Sequence, residues 1–366
     1  MATFYKEYEP ARKAFLAFTD QIKQMTGQSL DVQLTSHEII EGLFMDVLEI
    51  KPDKPQRLLC LTSGLHGIEG YAGNYVLQEF VDCFLPKLNL EDTHVILVHA
   101  INPYGMKYKR KSNENSVDLN RNFNASFDTL HSNEGFKTNA SFFLPRKLKN
   151  PYLIENILFY IRTAKLYFTI PHEQFREAAL LGQYEFPNGF YYGGDHMEKS
   201  TAILAQLYQK LVSFPYNKRL FIDLHTGYGP KYQMSIVNSP NEKRSVSELK
   251  KAFNYPLIQN ANGDDFYQIN GDMVNYINDF IQATDYATCF EFGTIGMSIL
   301  DEIKSLRIML EENSVHHMHR ETDPIFKRIK KDFEQLYMPD EKKWLDKVIT
   351  DFDQALKGIL THYKFI

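Results

Sequence analysis

The chain has 366 residues, a formal net charge of −5 at pH 7 and a hydrophobic fraction of 43%. These values are ordinary for a globular protein, and the charge gives no electrostatic reason to expect a nucleic-acid partner. The N-terminus lacks the apolar core of a signal peptide, and no stretch reaches the ~20 apolar residues of a membrane span. Three unevenly spaced cysteines indicate buried thiols rather than a disulfide framework. We therefore expect a cytoplasmic protein that has no membrane partner.

Helical and strand-like patterns alternate along the first part of the chain. Segment 6–25 has apolar residues at helical spacing, and a second helix-like stretch runs from about 72 to 84. The segment from about 301 to 363 is also mostly helical in pattern. Strand-like runs fall at 44–50, 57–62, 94–100, 219–224, 232–237 and 286–292. Because nothing marks a domain boundary, we predict a single α/β domain, 1–366, with a mixed central sheet flanked by helices.

The first chemically informative motif is His66-Gly67-Ile68-Glu69, which follows a strand-like run. Residues three apart on a helical turn share one face, so His66 and Glu69 can meet one ion. With 12 His and 46 acidic residues, about one or two such pairs arise by chance. A second copy, at 131–134, has no strand before it and is interpreted as surface. Glycines surround the first copy and permit a tight turn at the strand end, which favours it as the metal-binding copy.

His225 and Glu291 each end another strand-like run. In open α/β sheets the active site lies at the carboxyl ends of the strands, so both can converge with His66 and Glu69. Two imidazoles and one carboxylate leave a fourth zinc position open for water, as in hydrolytic sites. A carboxylate such as Glu291 is costly in an apolar strand unless it is paired or solvated. Glu291 therefore suits the role of a general base.

The segment 118–122 is unusually polar for a stretch that precedes an aromatic residue. Arg121 offers a planar fork for a carboxylate, although the segment could equally be a surface loop held by Asn and Asp turns. Asp118 could orient a metal-bound imidazole by accepting its second N–H. Asp223 faces the opposite side of its strand from the residue that follows, and need not lie in the site. The basic cluster 107–111 is either a solvated loop or an anion-binding loop.

Taken together, these motifs resemble those of the zinc carboxypeptidase superfamily. The similarity is greatest to an uncharacterised bacterial branch related to succinylglutamate desuccinylases and aspartoacylases. The shared order is His-x-x-Glu, then Asp-x-Asn-Arg-Asn, then a strand-terminal His, then a later Glu. The resemblance runs from about residue 5 to residue 320. It implies one Zn²⁺ ion held by His66, Glu69 and His225.

The resemblance also implies roles for five further residues. Glu291 would be the general base and then the proton donor, and Asp118 would be the partner of His66. Asn120 and Arg121 would bind a substrate carboxylate, while Arg110 would polarise the scissile carbonyl. The implied activity is zinc-dependent hydrolysis of an amide bond next to a free carboxylate, in a small peptide or an N-acyl amino acid.

Three functions remain open at this point. The first is a metallocarboxypeptidase-like exopeptidase, and the second is an N-acyl amino acid deacylase of the desuccinylase/aspartoacylase type. The third is a non-catalytic zinc-dependent binding module, against which the presence of Glu291 and Arg110 argues. About a hundred residues separate Arg121 from His225, so we expect an insertion at about 125–215 that covers or narrows the site. The candidates for a substrate-capping tyrosine are Tyr191, Tyr192, Tyr228, Tyr267 and Tyr276.

Overall fold

The computed structural model describes residues 2–27, 30–128, 130, 132–261 and 269–366. Within these ranges, eight strands form one sheet in the order β1-β2-β4-β3-β5-β8-β6-β7. The strands are β1 Asp31–Ile40, β2 Leu43–Lys51, β3 Arg57–Ser63, β4 Thr93–His99, β5 Lys218–Gly227, β6 Met234–Asn238, β7 Ile258–Asn260 and β8 Tyr286–Gly293. The second copy of the His-x-x-Glu motif begins at His131, which lies outside the described residues.

The centre of the sheet is parallel and its flanks are mixed. Strands β4, β3, β5 and β8 run parallel to one another, whereas β2 pairs antiparallel with β4 and with β1. On the other side β6 is antiparallel to β8 and parallel to β7. The predicted fold class, an α/β fold with a mixed central sheet flanked by helices, is therefore confirmed.

The central strands are buried along almost their whole length. Runs such as 58–61 and 95–98 are continuously apolar, because a parallel sheet is covered by helices on both faces. Strand β1 was not predicted from the sequence. Six of its ten residues are exposed, since it forms one edge of the sheet, and it therefore lacks the apolar run by which β2 to β6 and β8 were found. The three-residue strand β7, at the opposite edge, was not predicted either.

Thirteen α-helices of four or more residues lie within the described ranges. They are α1 Tyr8–Thr26, α2 Gly70–Glu79, α3 Pro103–Lys107, α4 Glu134–Thr138, α5 Ala140–Phe143, α6 Tyr152–Thr169, α7 His172–Leu180, α8 Lys199–Ser213, α9 Val246–Phe253, α10 Met273–Asn278, α11 Ile299–Met318, α12 Pro324–Tyr337 and α13 Lys342–Tyr363. Helices α1, α2 and α13 contribute to the apolar core on one face of the sheet. Helices α8 and α10 cover the other face.

The segment 125–215, expected to be an insertion, contains helices α4 to α8. Its first part forms a core of its own with α11, in which Phe136, Phe143 and Phe159 pack with Leu306 and Leu310. Its last helix, α8, packs on the central sheet instead. Among the described residues, no helix combines the length and the apolar composition that crossing a bilayer would require.

Candidate metal centre

His66 and Glu69 lie just after the carboxyl end of β3. The chain turns at Gly64, which has a φ of +73°, and enters a 3₁₀ turn, Gly67–Glu69, that continues into α2. A side chain at Gly67 would place its Cβ 2.1 Å from the carbonyl carbon of Gly105, so only glycine permits this close approach. The turn brings His66 Nδ1 to 2.9 Å from Glu69 Oε1. The two predicted ligands of this motif therefore face each other.

His225 completes this group from β5. Its Nδ1 lies 3.2 Å from Glu69 Oε2, and the backbone N–H of Thr226 donates to the same oxygen at 2.8 Å. One donor atom from each of His66, Glu69 and His225 lies within 4.8 Å of the other two, so the group could hold a metal ion. All three side chains are buried, and Glu69 is only 1% exposed. The structure thus brings together the three ligands expected from the sequence.

A carboxylate contacts the outer nitrogen of each imidazole. His66 Nε2 lies 3.1 Å from Asp118 Oδ1, and His225 Nε2 contacts Asp223 Oδ2. When each Nε2–H donates to its carboxylate, the Nδ1 lone pair of both rings is directed toward Glu69. Burial opposes a charge on His225, yet Asp223 and Glu69 outweigh it and raise the pKa of His225 well above its usual value. The group therefore has the electrostatic character of a cation-binding site.

Asp223 was missed by the sequence analysis, which did not require it in the site. Its Oδ1 accepts a hydrogen bond from Thr62 Oγ1 at 2.6 Å, which fixes the carboxylate beside His225. The signal was present in the sequence, because residues two apart on a strand point to the same face. His225 and Asp223 therefore had to share a face if His225 was a ligand. Asp118 was found because the resemblance assigns it a role as the partner of His66, and it assigns no such role to Asp223.

Glu291 stands beside His225 on the neighbouring strand. The two residues are paired in the parallel register of β5 and β8. Glu291 Oε2 is buried and has no hydrogen-bond partner among the described residues. Burial, opposed by the positive charge of His225 and reinforced by Glu69, raises the pKa of Glu291 to about 8. A buried carboxyl group with an unpartnered oxygen can accept or release a proton near neutral pH.

The structure directs Arg110 away from this group, contrary to the role expected for it. Its guanidinium is buried against α11, with Nε 3.3 Å from Glu312 Oε1 and Nη2 3.4 Å from Asn313 Oδ1. The cation at the site is Lys111 instead. Backbone N–H groups of Gly67 and Ile68, in the turn after His66, donate to the carbonyls of residues 111 and 110. These hydrogen bonds hold Lys111 against the turn, while the side chain of Arg110 is directed toward α11.

Lys111 lies between two tyrosine rings at the edge of the group. Its Nζ is 4.9 Å from the ring centroid of Tyr191 and 5.8 Å from that of Tyr337. Burial alone would lower its pKa, but the surrounding tyrosines and the carboxylates of Asp118 and Glu69 raise the pKa of Lys111 above its usual value. Its positive charge also favours the ionised form of Glu291. Lys111 is therefore a permanent positive charge close to the candidate ligands and the candidate base.

Asn120 and Arg121 donate to other parts of the chain. The guanidinium of Arg121 donates three hydrogen bonds to backbone carbonyls. Nε donates to Leu181 at 3.1 Å, Nη2 to Leu180 at 2.9 Å and Nη1 to Asn120 at 3.0 Å. The amide of Asn120 donates to Asp272 Oδ2 and accepts from the N–H of Met273. These donors hold the segment after α7 and the start of α10 in place. A substrate carboxylate would have to displace carbonyl groups to reach Arg121.

The tyrosine candidates divide by position. Tyr191 contributes its ring to the site, beneath both Lys111 and the guanidinium of Arg121. Tyr192 is buried in the core beneath the sheet, and Tyr276 packs against Phe123. Tyr267 lies outside the described residues. Tyr337, at the end of α12, was not a candidate, because no motif in the sequence connects it to the site.

A family model described as "Protein of unknown function (DUF2817)" matches residues 4–351, and the chain belongs to that family. The comparison with curated proteins gave no match.

Several solved structures show a distant likeness. Bovine thrombin-activatable fibrinolysis inhibitor, bound to tick carboxypeptidase inhibitor, is 14% identical, with 95% of this chain and 100% of that chain covered and a TM-score of 0.49. Carboxypeptidase A from Helicoverpa armigera is 12% identical, with coverages of 92% and 74% and a TM-score of 0.49. Succinylglutamate desuccinylase from Chromobacterium violaceum is 13% identical, with coverages of 86% and 74% and a TM-score of 0.39. At these identities and TM-scores, the likeness assigns no role to any residue of this chain.

Proposed function

We propose that this chain is a metal-dependent hydrolase that cleaves an amide bond, with His66, Glu69 and His225 as the metal ligands. The supporting observation is the orientation of the two imidazoles, which turn Nδ1 toward one shared carboxylate and Nε2 toward two separate ones. Three protein ligands of this kind leave a coordination position for water or substrate, as catalytic sites do and structural sites do not. Two nitrogen donors and a carboxylate suit Zn²⁺ among the common ions.

The residues present fit such an ion. Each imidazole has a carboxylate to accept its outer N–H, and Thr62 fixes one of these carboxylates in turn. A Zn²⁺ ion bound there supplies Lewis acidity, which polarises a carbonyl group and lets a water molecule lose its proton near neutral pH. Glu291 then has the role of the base. Its unpartnered Oε2 accepts the proton from water and returns it to the departing nitrogen.

Lys111 takes the role that the sequence analysis gave to Arg110. Charge develops on the carbonyl oxygen as an amide is attacked, and a fixed cation in a buried site stabilises that charge more than water does. Lys111 is held in place by the backbone of the metal-ligand turn and by two aromatic rings, so it need not reorganise during the reaction. Arg110 already forms an ion pair with Glu312, and this pair joins its loop to α11.

The finer proposal, an amide next to a free carboxylate, rests on the resemblance of the sequence motifs, because Arg121 donates to carbonyl groups of the chain itself. The first candidate is a carboxypeptidase-like exopeptidase that acts on a small peptide. All three candidate ligand side chains are buried, and Arg121 donates hydrogen bonds to the carbonyls of Leu180 and Leu181 at the end of α7. Both observations favour a second candidate, which acts on a smaller substrate. This second candidate is a deacylase of N-acyl amino acids.

Metal content and activity can be tested separately. Purified protein should contain about one equivalent of zinc by elemental analysis, and both His66→Ala and His225→Ala should lose most of it. Glu291→Gln should retain the zinc and lose roughly 10²–10⁴-fold in kcat. Glu321→Gln, at an exposed position, is the matched control and should change neither quantity. Retention of the metal by both histidine variants would contradict the proposed ligand set.

The substrate class requires a panel of blocked dipeptides and N-acyl amino acids in matched acid and amide forms. We expect turnover of the acids and rejection of the corresponding amides. Preference for dipeptides over N-acyl amino acids would support the exopeptidase, and the reverse would support the deacylase. Equal turnover of acid and amide forms would contradict the free-carboxylate requirement while leaving the metal-dependent hydrolase intact.

A further inference from the structure

Helix α6 presents an unusually apolar face to solvent. Eight of its apolar side chains are exposed, by 36–84% of their surface, including Leu153 at 72%, Ile157 at 60% and Phe168 at 84%. An outer helix of a globular protein normally carries charged and polar residues on that side. Within α6, whose residues are all described, Lys165 is the one exposed charged residue, whereas Arg162 is half-buried and Glu155 is buried. This face is therefore built differently from an ordinary solvent-facing surface.

Other outer helices of the same chain follow the usual rule. On α13 the exposed positions include Lys342, which pairs with Asp346, and on α12 Arg328 pairs with Asp332. These helices bury their apolar stripes on the core and turn charges outward. Charged residues are thus available for outer helices of this chain, and a lack of them does not explain the composition of the α6 face.

Helix α6 is firmly fixed on the protein by its inner side. Glu155 accepts hydrogen bonds from the backbone N–H groups of residues 149 and 150 and pairs with Arg146. Phe159 packs against Phe142 in the core of the helical segment, and Asn156 accepts a hydrogen bond from Arg307 on α11. The exposed face is therefore preformed, and a partner would not have to order it on binding.

The size of the face matches what a stable dimer requires. At ~150–200 Å² for a whole apolar or aromatic side chain, the eight exposed side chains leave roughly 650–900 Å² in water. The largest apolar patch of a typical monomer is about 300–600 Å². A standard protein–protein interface buries about 800 Å² on each partner. The α6 face alone therefore approaches the area of one side of such an interface.

We infer that α6 is the interface of a homodimer, in which two copies of this chain pack their α6 helices together across a two-fold axis. An antiparallel pair centred between Tyr160 and Ile161 would set Phe168 of one copy against Leu153 of the other. The small residue Ala164 would then face Ile157, so that large and small side chains alternate across the contact. A two-fold interface uses the same patch twice, so one apolar face is sufficient for both partners. This inference goes beyond the proposed function and does not depend on it.

A membrane surface fits the face less well. Helices that lie in a bilayer interface carry several Lys or Arg residues beside the apolar face, which contact anionic headgroups. The polar side of α6 is used inside the protein instead, through Glu155 and Thr163, both of which are buried. A second copy of the chain needs no such flanking charge.

The test compares the wild type with Ile161→Glu by sedimentation equilibrium at about 1–100 µM, the range in which moderately stable dimers dissociate. Wild-type protein should be a dimer, and Ile161→Glu should weaken association by at least about 100-fold, because each copy would bury an unpaired carboxylate. Since Ile161 is 59% exposed, the variant should keep the circular dichroism and the metal content of the wild type, and its unfolding temperature should no longer rise with protein concentration. Ile40→Glu is the control, because Ile40 is an exposed apolar residue on β1 and should leave the dimer intact.

A second measurement uses Ile161→Cys. A residue beside the two-fold axis should form an intermolecular disulfide under mild oxidation, whereas the wild type, with its native cysteines, should not. A monomeric wild type at the highest concentration would overturn the inference, as would a dimer that persists in Ile161→Glu. Co-sedimentation of a monomeric wild type with phosphatidylcholine/phosphatidylglycerol vesicles would overturn it in favour of a membrane surface.

Discussion

Replacing Lys111 and Arg110 with methionine, one at a time, should separate an effect on activity from an effect on stability. Lys111→Met removes a positive charge that lies against Tyr191 and Tyr337 beside the candidate ligands. Arg110→Met removes a positive charge that is buried against Glu312 on α11. Methionine keeps a long apolar stem in both cases, so the change is mainly one of charge and hydrogen bonding. We expect the first variant to lose activity and the second to lose stability.

The magnitudes follow from the contacts. Losing one group that stabilises a developing oxyanion costs ~10²–10³-fold in kcat, which is our expectation for Lys111→Met. Breaking a buried ion pair by removing one partner costs ~3–5 kcal/mol when the other charge is left alone. Glu312 would still have Lys330 at 3.1 Å, so for Arg110→Met we expect a smaller loss, about 2–3 kcal/mol. With an unfolding entropy of ~2.1 cal/mol/K per residue, this lowers the unfolding temperature by roughly 3–4 °C.

The assays are steady-state kinetics on a substrate from the panel and thermal unfolding of the zinc-loaded protein. Lys111→Arg is a useful third variant, because it keeps the charge and should recover part of the activity. An Arg110→Met variant that unfolds like the wild type but has lost its activity would refute the placement of these two side chains. So would a Lys111→Met variant with unchanged kcat.

Three further variants address the site from other sides. Asp223→Asn should weaken zinc binding ~10–100-fold in competition with a chromophoric chelator, because the amide cannot hold His225 in the same way. In the metal-free protein, Glu291 has a folded-state pKa of about 8 against its ordinary 4.5. The folded state therefore keeps a proton that the unfolded state releases, and stability should fall by at most ~1.4 kcal/mol per pH unit as pH rises from 4.5 through 8. In urea unfolding at several pH values, the free energy of unfolding should depend less steeply on pH for Glu291→Gln than for the wild type. Arg121→Ala should lower stability by roughly 1–3 kcal/mol and speed proteolytic cleavage near Leu181, whose carbonyl it binds; unchanged proteolysis would contradict that contact.

The proximity of the candidate ligands could be predicted because it depends on regular structure. Strands in a parallel sheet end at one edge, so His225 and Glu291 had to lie side by side once their strands were recognised as neighbours. The glycines around His66 indicated a turn at the end of β3, and that turn is observed. Asp223 could have been included by the two-residue repeat of the same strand. In each case the local pattern determines the direction of the side chain.

The cations could not be placed in the same way. Lys109, Arg110 and Lys111 lie in an irregular loop, where Lys109 adopts a φ of 51° and no repeat predicts which side chain points inward. Which cation enters the site depends on Glu312, about two hundred residues later in the chain, because it pairs with Arg110. Arg121 is similar, since its partners are carbonyl groups after α7, about sixty residues away. Charge and residue type suggested an anion-binding role for these residues. Partners far away in the sequence determine where each side chain points.

The charges around the candidate ligands give an independent reason to expect a divalent cation. Glu69, Asp118 and Asp223 are all buried, and the positive charges near them are those of Lys111 and, beside Asp118, Arg121. With neutral imidazoles, three carboxylates face two cations, and this excess of negative charge is costly in a buried site. Protonation of the imidazoles can offset this excess in the metal-free protein, and Asp223 and Glu69 do raise the pKa of His225. A divalent ion offsets it while leaving both Nδ1 atoms free to coordinate. Since bound metal and imidazole protons compete for the same atoms, zinc affinity should weaken as the pH falls.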